Sequence, residues 1–408
     1  MKMDALNVQL CFSREDVISV GILSQIDRTS VFQFSPEFLS RGLPLSPFYL
    51  PLRSAVQPYD RQGGMETFGV FEDALPDSWG RRIIDHHFIR TRGRTPTLME
   101  RFACVGNGGM GALTFQPAEP APAPDAVFDL NALAENAWDF DDNKIEDVLP
   151  ELRRLAGSSG GARPKALVGF NPDTGTVVAN NEALPEGFEH WIVKFNTRNE
   201  GGYAGSLEFA YNELAKASGA DVPACRLIDT KAGRFFATRR FDRRRGSRLH
   251  LHSAAGLLHA NFRIAGEEYA TLFHLTAALT RDYMAKKELF RRVCLNVLAH
   301  NRDDHLKNFA FLMEATGDWR LSPLFDFTFS SGPNGWHTLS VAGEGERPTS
   351  KDLLKLAETV ELEKADARDI LEQVCSGMAE LPRHGENAGV PKARMKAIIK
   401  TMGLPGLP

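Results

Sequence analysis

Cysteine is scarce and scattered in this chain. The five cysteines stand at 11, 104, 225, 294 and 375, no two form a CxxC pair, and their number is odd. That argues against a disulfide framework and against a zinc cluster, and leaves reduced thiols of a cytosolic protein as the simple reading. Long apolar runs are missing: no stretch approaches the ~18 residues a spanning helix needs. The opening MKMDALNVQLCF has no basic segment followed by an apolar one, so no secretory signal is apparent and a soluble, cytoplasmic protein is expected. There is no excess of charge of one sign either. A formal net charge of −4 does not suit a protein built as a whole to coat nucleic acid or an anionic membrane.

What is present is an ordinary globular balance, 43% hydrophobic and 25% charged, in 408 residues, enough for two or three domains. No internal repeat is apparent. LNVQLCF and ISVGIL read as strands, VFEDALPDSWGRRIIDHHFIR as a loop entering a helix with Ile83, Ile84 and Phe88 on its apolar side, and GALTF as a closing strand. QPAEPAPAPDA is an extended Pro/Ala connector. The next unit reads as a short helix at 143–155, a Ser/Gly loop, strands KALVGF and TVVAN joined by an NPDTG turn, the strand HWIVKF, a helix at about 206–219, and strands near 224–229 and 234–239. From about 253 the periodicity becomes helical, over 267–280, 286–300, 350–375 and 391–402, with a hairpin inserted among the helices. The expected division is 1–115, a linker over 116–127, 128–240 and 241–408. A β-rich lobe followed by a helical lobe, with polar motifs where they meet, is an α+β layout like that of a two-lobed kinase.

Phosphoryl transfer needs a carboxylate for the attacking hydroxyl, oxygen ligands for Mg²⁺, a lysine for the phosphates and a loop to cover them. His300-Asn301-Arg302-Asp303-Asp304-His305-Leu306-Lys307-Asn308 places Arg-Asp five residues before an Asn, the R-D-x-x-x-x-N spacing of a kinase catalytic loop. Asp303 is then the base and Asn308 a metal ligand; the same run also fits a polar turn capping the preceding helix. Asp326, in Leu324-Phe325-Asp326-Phe327, follows Asn308 by 18 residues and holds the slot of a second metal ligand, without the usual glycine. An Asp among Leu and Phe is costly to desolvate unless partnered. Lys194 is a lone lysine in an apolar strand, which fits a phosphate contact or an outward-facing edge residue. Glu208 is its first-choice partner, Glu213 the second, and Ser206 the candidate N-cap of that helix. Gly157 to Lys165 is a small-residue loop directly before a strand, able to bring amides near phosphate. The pieces stand in kinase order, which is far rarer by chance than any one of them.

Other features are less specific. RRFDRRRGSR at 239–248 is strongly basic and reads as an anion-binding patch or a solvated connector. His86, His87, His250 and His252 have no companions at metal spacing and read as structural or surface residues. No nucleophile–base pair for hydrolysis is apparent.

Taken together, these blocks resemble the HipA toxin family, serine/threonine kinases of type II toxin–antitoxin systems. FEDALPDSWGRR and GALTF resemble its N-terminal subdomain; SSGGARPKALV, WIVKF, LEFAYNELA, ATRRFDR, NRDDHLKNFAF and LSPLFDF match later blocks in order. The resemblance implies a protein-kinase-like fold with an extra N-terminal subdomain and an all-helical C-terminal lobe, using ATP and Mg²⁺. Asp303 resembles the catalytic base, Asn308 and Asp326 the Mg²⁺ ligands, and Lys194 the ATP lysine. Gly160, Gly161, Ala162, Arg163, Pro164 and Lys165 resemble the phosphate loop. Arg239, Arg240 and Phe241 resemble the adenine-holding segment, and His305, Lys307 and Phe325 fall at nucleotide-contact positions. Ser158, with Ser159 adjacent, lies where family members autophosphorylate and shut themselves off. The family often has an acidic residue at position 239, Tyr at 325 and Gln-Glu-Asp-like residues after Arg-Leu-His, where this chain has LHSAAGLL. These departures bear on adenine contacts and acceptor choice. The resemblance also implies a helix-turn-helix antitoxin of HipB type, contact with DNA only through it, no membrane, and a translation component such as an aminoacyl-tRNA synthetase as substrate. The rival reading is a non-catalytic nucleotide-binding co-repressor acting through that antitoxin.

Overall fold

A computed structural model describes residues 4–60, 64–76, 78–119, 127–142, 163–180, 182–197, 201–262, 264 and 266–403. β1 (Ala5–Cys11), β2 (Val17–Ile26) and β3 (Thr29–Phe34) form an antiparallel meander, and β4 (Gln57–Pro58) and β5 (Leu113–Gln116) complete a sheet of order β4-β3-β2-β1-β5. The alternation read in LNVQLCF buries Leu6, Val8 and Leu10 on one face. Between β3 and β5 lie α1 (Pro36–Arg41), α2 (Gly69–Glu72), α3 (Ser78–Arg92) and α4 (Leu98–Val105). α3 buries Ile83, Ile84 and Phe88, as their spacing predicts. α4 starts on a capping box: Thr97 Oγ1 accepts from Glu100 N at 3.2 Å and the Glu100 carboxylate accepts from Thr97 N at 2.8 Å.

α5 (Leu130–Asp141) starts at Asp129, whose carboxylate accepts from Asn131 N at 2.8 Å. The sequence reading placed no helix here, although Leu130, Leu133, Ala134, Ala137 and Phe140 carry the helical spacing and are buried. The helix expected at 143–155 lies outside the described residues. A second antiparallel sheet follows, built from β6 (Lys165–Phe170), β7 (Val177–Ala179), β8 (Glu189–Lys194), β9 (Cys225–Thr230) and β10 (Gly233–Arg239) in the order β7-β6-β8-β10-β9. In the NPDTG turn, Asn171 Oδ1 accepts from Asp173 N and Thr174 N, and Gly175 takes φ +73°. α6 (Ala204–Ala217) connects β8 to β9. Ser206 does not cap it. That residue is buried inside the first turn, and the Asn196 side chain accepts from Gly205 N at 2.8 Å instead.

The ribbon β11 (Arg243–Arg244) and β12 (Ser247–Arg248) leads through β13 (His250–Ser253) into the helical part. This part contains α7 (Ala254–Leu257), α8 (Tyr269–Thr280), α9 (Tyr283–Leu298), α10 (Ser350–Thr359), α11 (Lys364–Met378), α12 (Leu381–Ala388) and α13 (Lys392–Met402). The inserted hairpin, β14 (Ala310–Met313) and β15 (Trp319–Leu321), is joined by β13 into a three-stranded sheet. The single helix expected over 350–375 is two, parted near Glu361 at φ +55°. Among the described residues no helix is long and apolar enough to cross a membrane.

The first unit packs against both of the others. Its sheet shares one contiguous apolar core with the helical part, while Trp79 and Ile83 of α3 enter a second core with α5 and the second sheet. At the first junction α2 and α7 meet backbone to backbone. A Cβ on Gly69 would lie 2.0 Å from Gly256 O, so the approach needs glycine.

The basic run at 239–248 is split between surface and interior: Arg239, Arg244 and Arg245 are exposed, whereas the side chains of Arg240, Arg243 and Arg248 are at most 6% exposed. Arg240 Nη2 and Arg243 Nη1 reach Asp242 Oδ2 at 2.8 and 2.6 Å, and Gly111 N donates to the same oxygen at 2.6 Å. Both arginines also donate to Gly109 O at 2.8 Å, and Arg248 Nη1 donates to Asn107 O at 3.0 Å. Burial alone would raise the Asp242 pKa, but the two guanidinium groups hold it well below the carboxylate range. The run is therefore a clamp between the 107–111 loop and the segment leaving the second sheet. Arg239 and Arg244 are exposed and pair with Glu189 and Glu314.

Candidate active site

The three parts meet around a cleft of about 290 Å³. Lys194, at the end of β8, donates from Nζ to Glu208 Oε1 of α6 at 2.6 Å and also to Asp326 Oδ1. Glu208, not Glu213, is thus the lysine's partner, and Arg163 Nη1 approaches its second oxygen at 3.7 Å. Burial would pull the Lys194 pKa down, but the Asp326 and Glu208 carboxylates outweigh it and hold the group above the ordinary lysine value. Burial likewise acts to raise Asp326; the charges of Lys194 and Lys165 reverse this and leave its pKa lowered. Asp326 adopts φ +52°, in the left-handed region that Asp tolerates better than most side chains.

Asp303 and Asn308 stand in the same cleft, between α9 and β14. The 3₁₀ turn Leu306–Asn308 brings Asn308 Nδ2 to the Asp303 carbonyl at 2.7 Å, which leaves Oδ1 as the end of the amide suited to a cation. The Asp303 side chain is 63% exposed, with His305 Nε2 3.6 Å from Oδ1. His305 packs against Phe262 with centroids 5.1 Å apart and the rings tilted by 57°, and Lys307 Nζ lies over the same ring at 5.4 Å.

Lys165, Arg239, Arg240, Phe241, His305, Lys307 and Phe325 also line the cleft. The Phe241 and Phe325 rings lie 5.5 Å apart, and Ile192, Leu251 and Met110 are further apolar residues of the lining. Of these lining residues, Arg240 has its guanidinium engaged in the Asp242 clamp. Pro164 is part of sheet pairing, its carbonyl accepting from Phe195 N at 2.9 Å. Ser158, Gly160, Gly161 and Ala162 lie outside the described residues.

Two features went unread in the sequence. The FEDALPDSWGRR block forms part of the cleft wall: Glu72, Asp73, Ser78 and Arg81 line it, and Arg81 bridges Glu72 at 2.8 Å and Glu66 at 3.0 Å. The second is an acid–base–hydroxyl arrangement absent from any local motif. Ser46 Oγ lies 3.0 Å from His252 Nε2, and His252 Nδ1 lies 2.7 Å from Asp73 Oδ2. It has the outline of a hydrolytic triad, but Ser46 is 1% and His252 0% exposed, so no substrate reaches the hydroxyl. Asp73 also accepts from Ser253 N and Oγ, so the group ties α2 to the start of α7.

The family model of the HipA-like C-terminal domain matches residues 157–381, and that of the HipA N-terminal domain matches residues 16–116. The chain belongs to the HipA family. The HipA of Shewanella oneidensis MR-1, solved in a toxin–antitoxin complex with HipB and its operator DNA, superposes with a TM-score of 0.66 at 18% identity. That match covers 97% of this chain and 95% of the other and shows that the α+β fold, β-rich first and helical after, is shared. A putative kinase, Y4dM of Sinorhizobium fredii, is 26% identical over 157 residues. The match spans 33% of this chain and about a third (36%) of that relative's length.

Proposed function

We propose that this HipA-family chain is an ATP- and Mg²⁺-dependent serine/threonine protein kinase, the toxin of a toxin–antitoxin pair. The observation that carries the reading is Lys194, joined at once to Glu208 and Asp326 in a cleft that also holds Asp303 and Asn308. Lys194 and Lys165 would neutralise the phosphates of ATP. Asp326 and Asn308 fit a Mg²⁺ that takes its remaining ligands from phosphate and water, and the ion would offset the charge of the transferring group. Among the described residues no group of three or more His, Cys, Asp or Glu is placed to hold a metal by itself.

Asp303 would orient the acceptor hydroxyl and take its proton as the oxygen bonds to the γ-phosphorus and ADP departs. Its exposure favours a protein acceptor over a small molecule, because a bulky chain can present a Ser or Thr hydroxyl to a carboxylate standing at the cleft mouth. The Shewanella relative, solved with HipB and its operator DNA, supports a HipB-like antitoxin partner here; on this reading that partner carries a helix-turn-helix and DNA is reached only through it. The substrate is, on this reading, a translation component such as an aminoacyl-tRNA synthetase, met in the cytoplasm, and Ser158 is the self-modified residue that shuts the enzyme off.

The test is labelling with γ-phosphate-labelled ATP, followed by mass spectrometry of the protein and of a lysate. Wild type should label itself at Ser158 or Ser159 and label an acceptor protein, and Asp303→Ala should do neither. ATP binding with no transfer to any protein would favour the co-repressor reading.

A further inference from the structure

Two carboxylates stand side by side in the catalytic loop, and the fold treats them differently. Asp303 is 63% exposed, whereas the Asp304 side chain is 0% exposed. A carboxylate that deep must be fully partnered. Tyr269 Oη and His337 Nδ1 donate to Asp304 Oδ2 at 2.5 and 2.7 Å, and Thr338 N donates to Oδ1 at 2.7 Å. The Tyr269 hydroxyl in turn accepts from Asn296 Nδ2 at 3.1 Å, and Asn296 Oδ1 accepts from Asn301 Nδ2 at 2.9 Å. This relay ties the loop to α8, to α9 and to residues 337–338.

The other neighbour of Asp303 is pinned to the same segment. The Arg302 guanidinium donates to Gly335 O and, at 2.9 Å, to Glu346 O. Its backbone N donates to Ser330 O at 3.3 Å, and its carbonyl accepts from Thr338 Oγ1 at 3.3 Å. The backbone is therefore held on both sides of Asp303, while the Asp303 carboxylate itself has the 3.6 Å approach of His305.

We infer that Asp304 is a positioning residue: through Tyr269, His337 and Thr338 it fixes the loop so that Asp303 is aimed at the acceptor hydroxyl. The inference rests on the kinase reading and assigns to Asp304 no contact with substrate. A misplacement of about 1 Å at a reacting group lowers rates by about 100-fold, so a loosened loop should act on the chemical step more than on binding.

Asp304→Asn keeps the shape but turns an amide N–H₂ toward donors. Tyr269→Phe is the milder variant and removes one donor of three. On the full chain, well below its melting temperature, two quantities are measured: the Kd of a fluorescent ATP analogue and the single-turnover rate of label transfer from ATP to the protein itself. Asp304→Asn is expected to transfer about 100-fold more slowly with its Kd within about twofold of wild type, and Tyr269→Phe to fall between. A folded Asp304→Asn that transfers at the wild-type rate overturns the inference, as does equal loss of binding and transfer. If Asp304→Asn does not fold, Tyr269→Phe decides: an unchanged rate overturns the inference and a slowed rate with intact binding supports it. Wild-type transfer that survives these changes sinks this inference alone. A wild type that binds ATP and transfers nothing sinks the kinase reading and the inference with it.

Discussion

On one side of the cleft Lys194, Glu208 and Asp326 are ion-paired with little exposure, at 13%, 3% and 23%; on the other, the Asp303 carboxylate stands 63% exposed beside a distant imidazole. On the kinase reading the first side would hold the phosphates, and it is assembled from paired charges of opposite sign. The second side, which on that reading would meet the acceptor, has an exposed carboxylate between two anchored neighbours, Arg302 and Asp304. Preorganisation suits a cofactor-like nucleotide that is always the same, and openness suits a hydroxyl delivered by another chain.

Asp303→Ala separates the two sides most sharply. Transfer should fall by about 10²–10⁴-fold, while stability shifts by no more than about 0.5 kcal/mol, because an exposed side chain with one long contact is removed. Labelling and thermal melting on one sample check this. A marked loss of melting temperature would mean that the acceptor side is as tightly built as the phosphate side.

Asp242→Ala should show the opposite profile. It leaves Arg240 and Arg243 buried without their counter-charge, and breaking such a pair costs about 3–5 kcal/mol. Denaturant titration should show that loss although Asp242 touches neither side of the cleft. If stability holds, water or other acceptors satisfy the arginines and the clamp is not what braces the 107–111 loop.

Glu208→Gln comes next. It keeps a hydrogen-bond acceptor for Lys194 but removes a charge from the phosphate side, leaving Asp326 as the lysine's carboxylate partner. Losing one charged hydrogen bond of about 1.5–3 kcal/mol predicts roughly 10- to 150-fold weaker use of ATP, read as kcat/KM. Wild-type kinetics would show that the pairing is not needed for that side's geometry.

The residues of this comparison were legible in the sequence because chemistry fixes their spacing. Asp303 and Asn308 share one turn, Lys194 interrupts an apolar strand, and Asp326 sits among Leu and Phe. What escaped depends on contacts between distant segments. Gly111 meets Asp242 across 131 residues and His252 meets Asp73 across 179, and neither pairing leaves a local pattern. The same holds for Glu72 and Arg81, whose block read as a separate unit although it forms part of the cleft wall. Ser206 was misread for a related reason: Asn196, outside the helix, had already satisfied the amide that a cap would serve. α5 was different, since its apolar spacing was visible.

Acidification should weaken the junction of α2 with α7, by the smallest of these effects. His259 Nε2 accepts from Gly69 N at 3.1 Å, at the junction of α2 with α7 and two residues from Asn261 in the cleft wall. That bond requires a neutral imidazole. Burial, then the neighbouring His252, lowers the His259 pKa from 6.5 to about 4. The unfolded chain therefore takes up the proton first. Stability from this group is fully present above the unfolded pKa and is lost as pH falls from about 6.5 toward 4, by at most ~1.4 kcal/mol per pH unit. His250, lowered to about 3, and His300, lowered to about 4, both chiefly by burial, act with the same sign. Denaturant unfolding at pH 7 and pH 5 should show the loss. His259→Gln, which keeps an acceptor but cannot titrate, should flatten the slope by about one proton. An unchanged slope would assign the acid sensitivity to the other histidines, and the junction beside Gly69 would then be indifferent to pH.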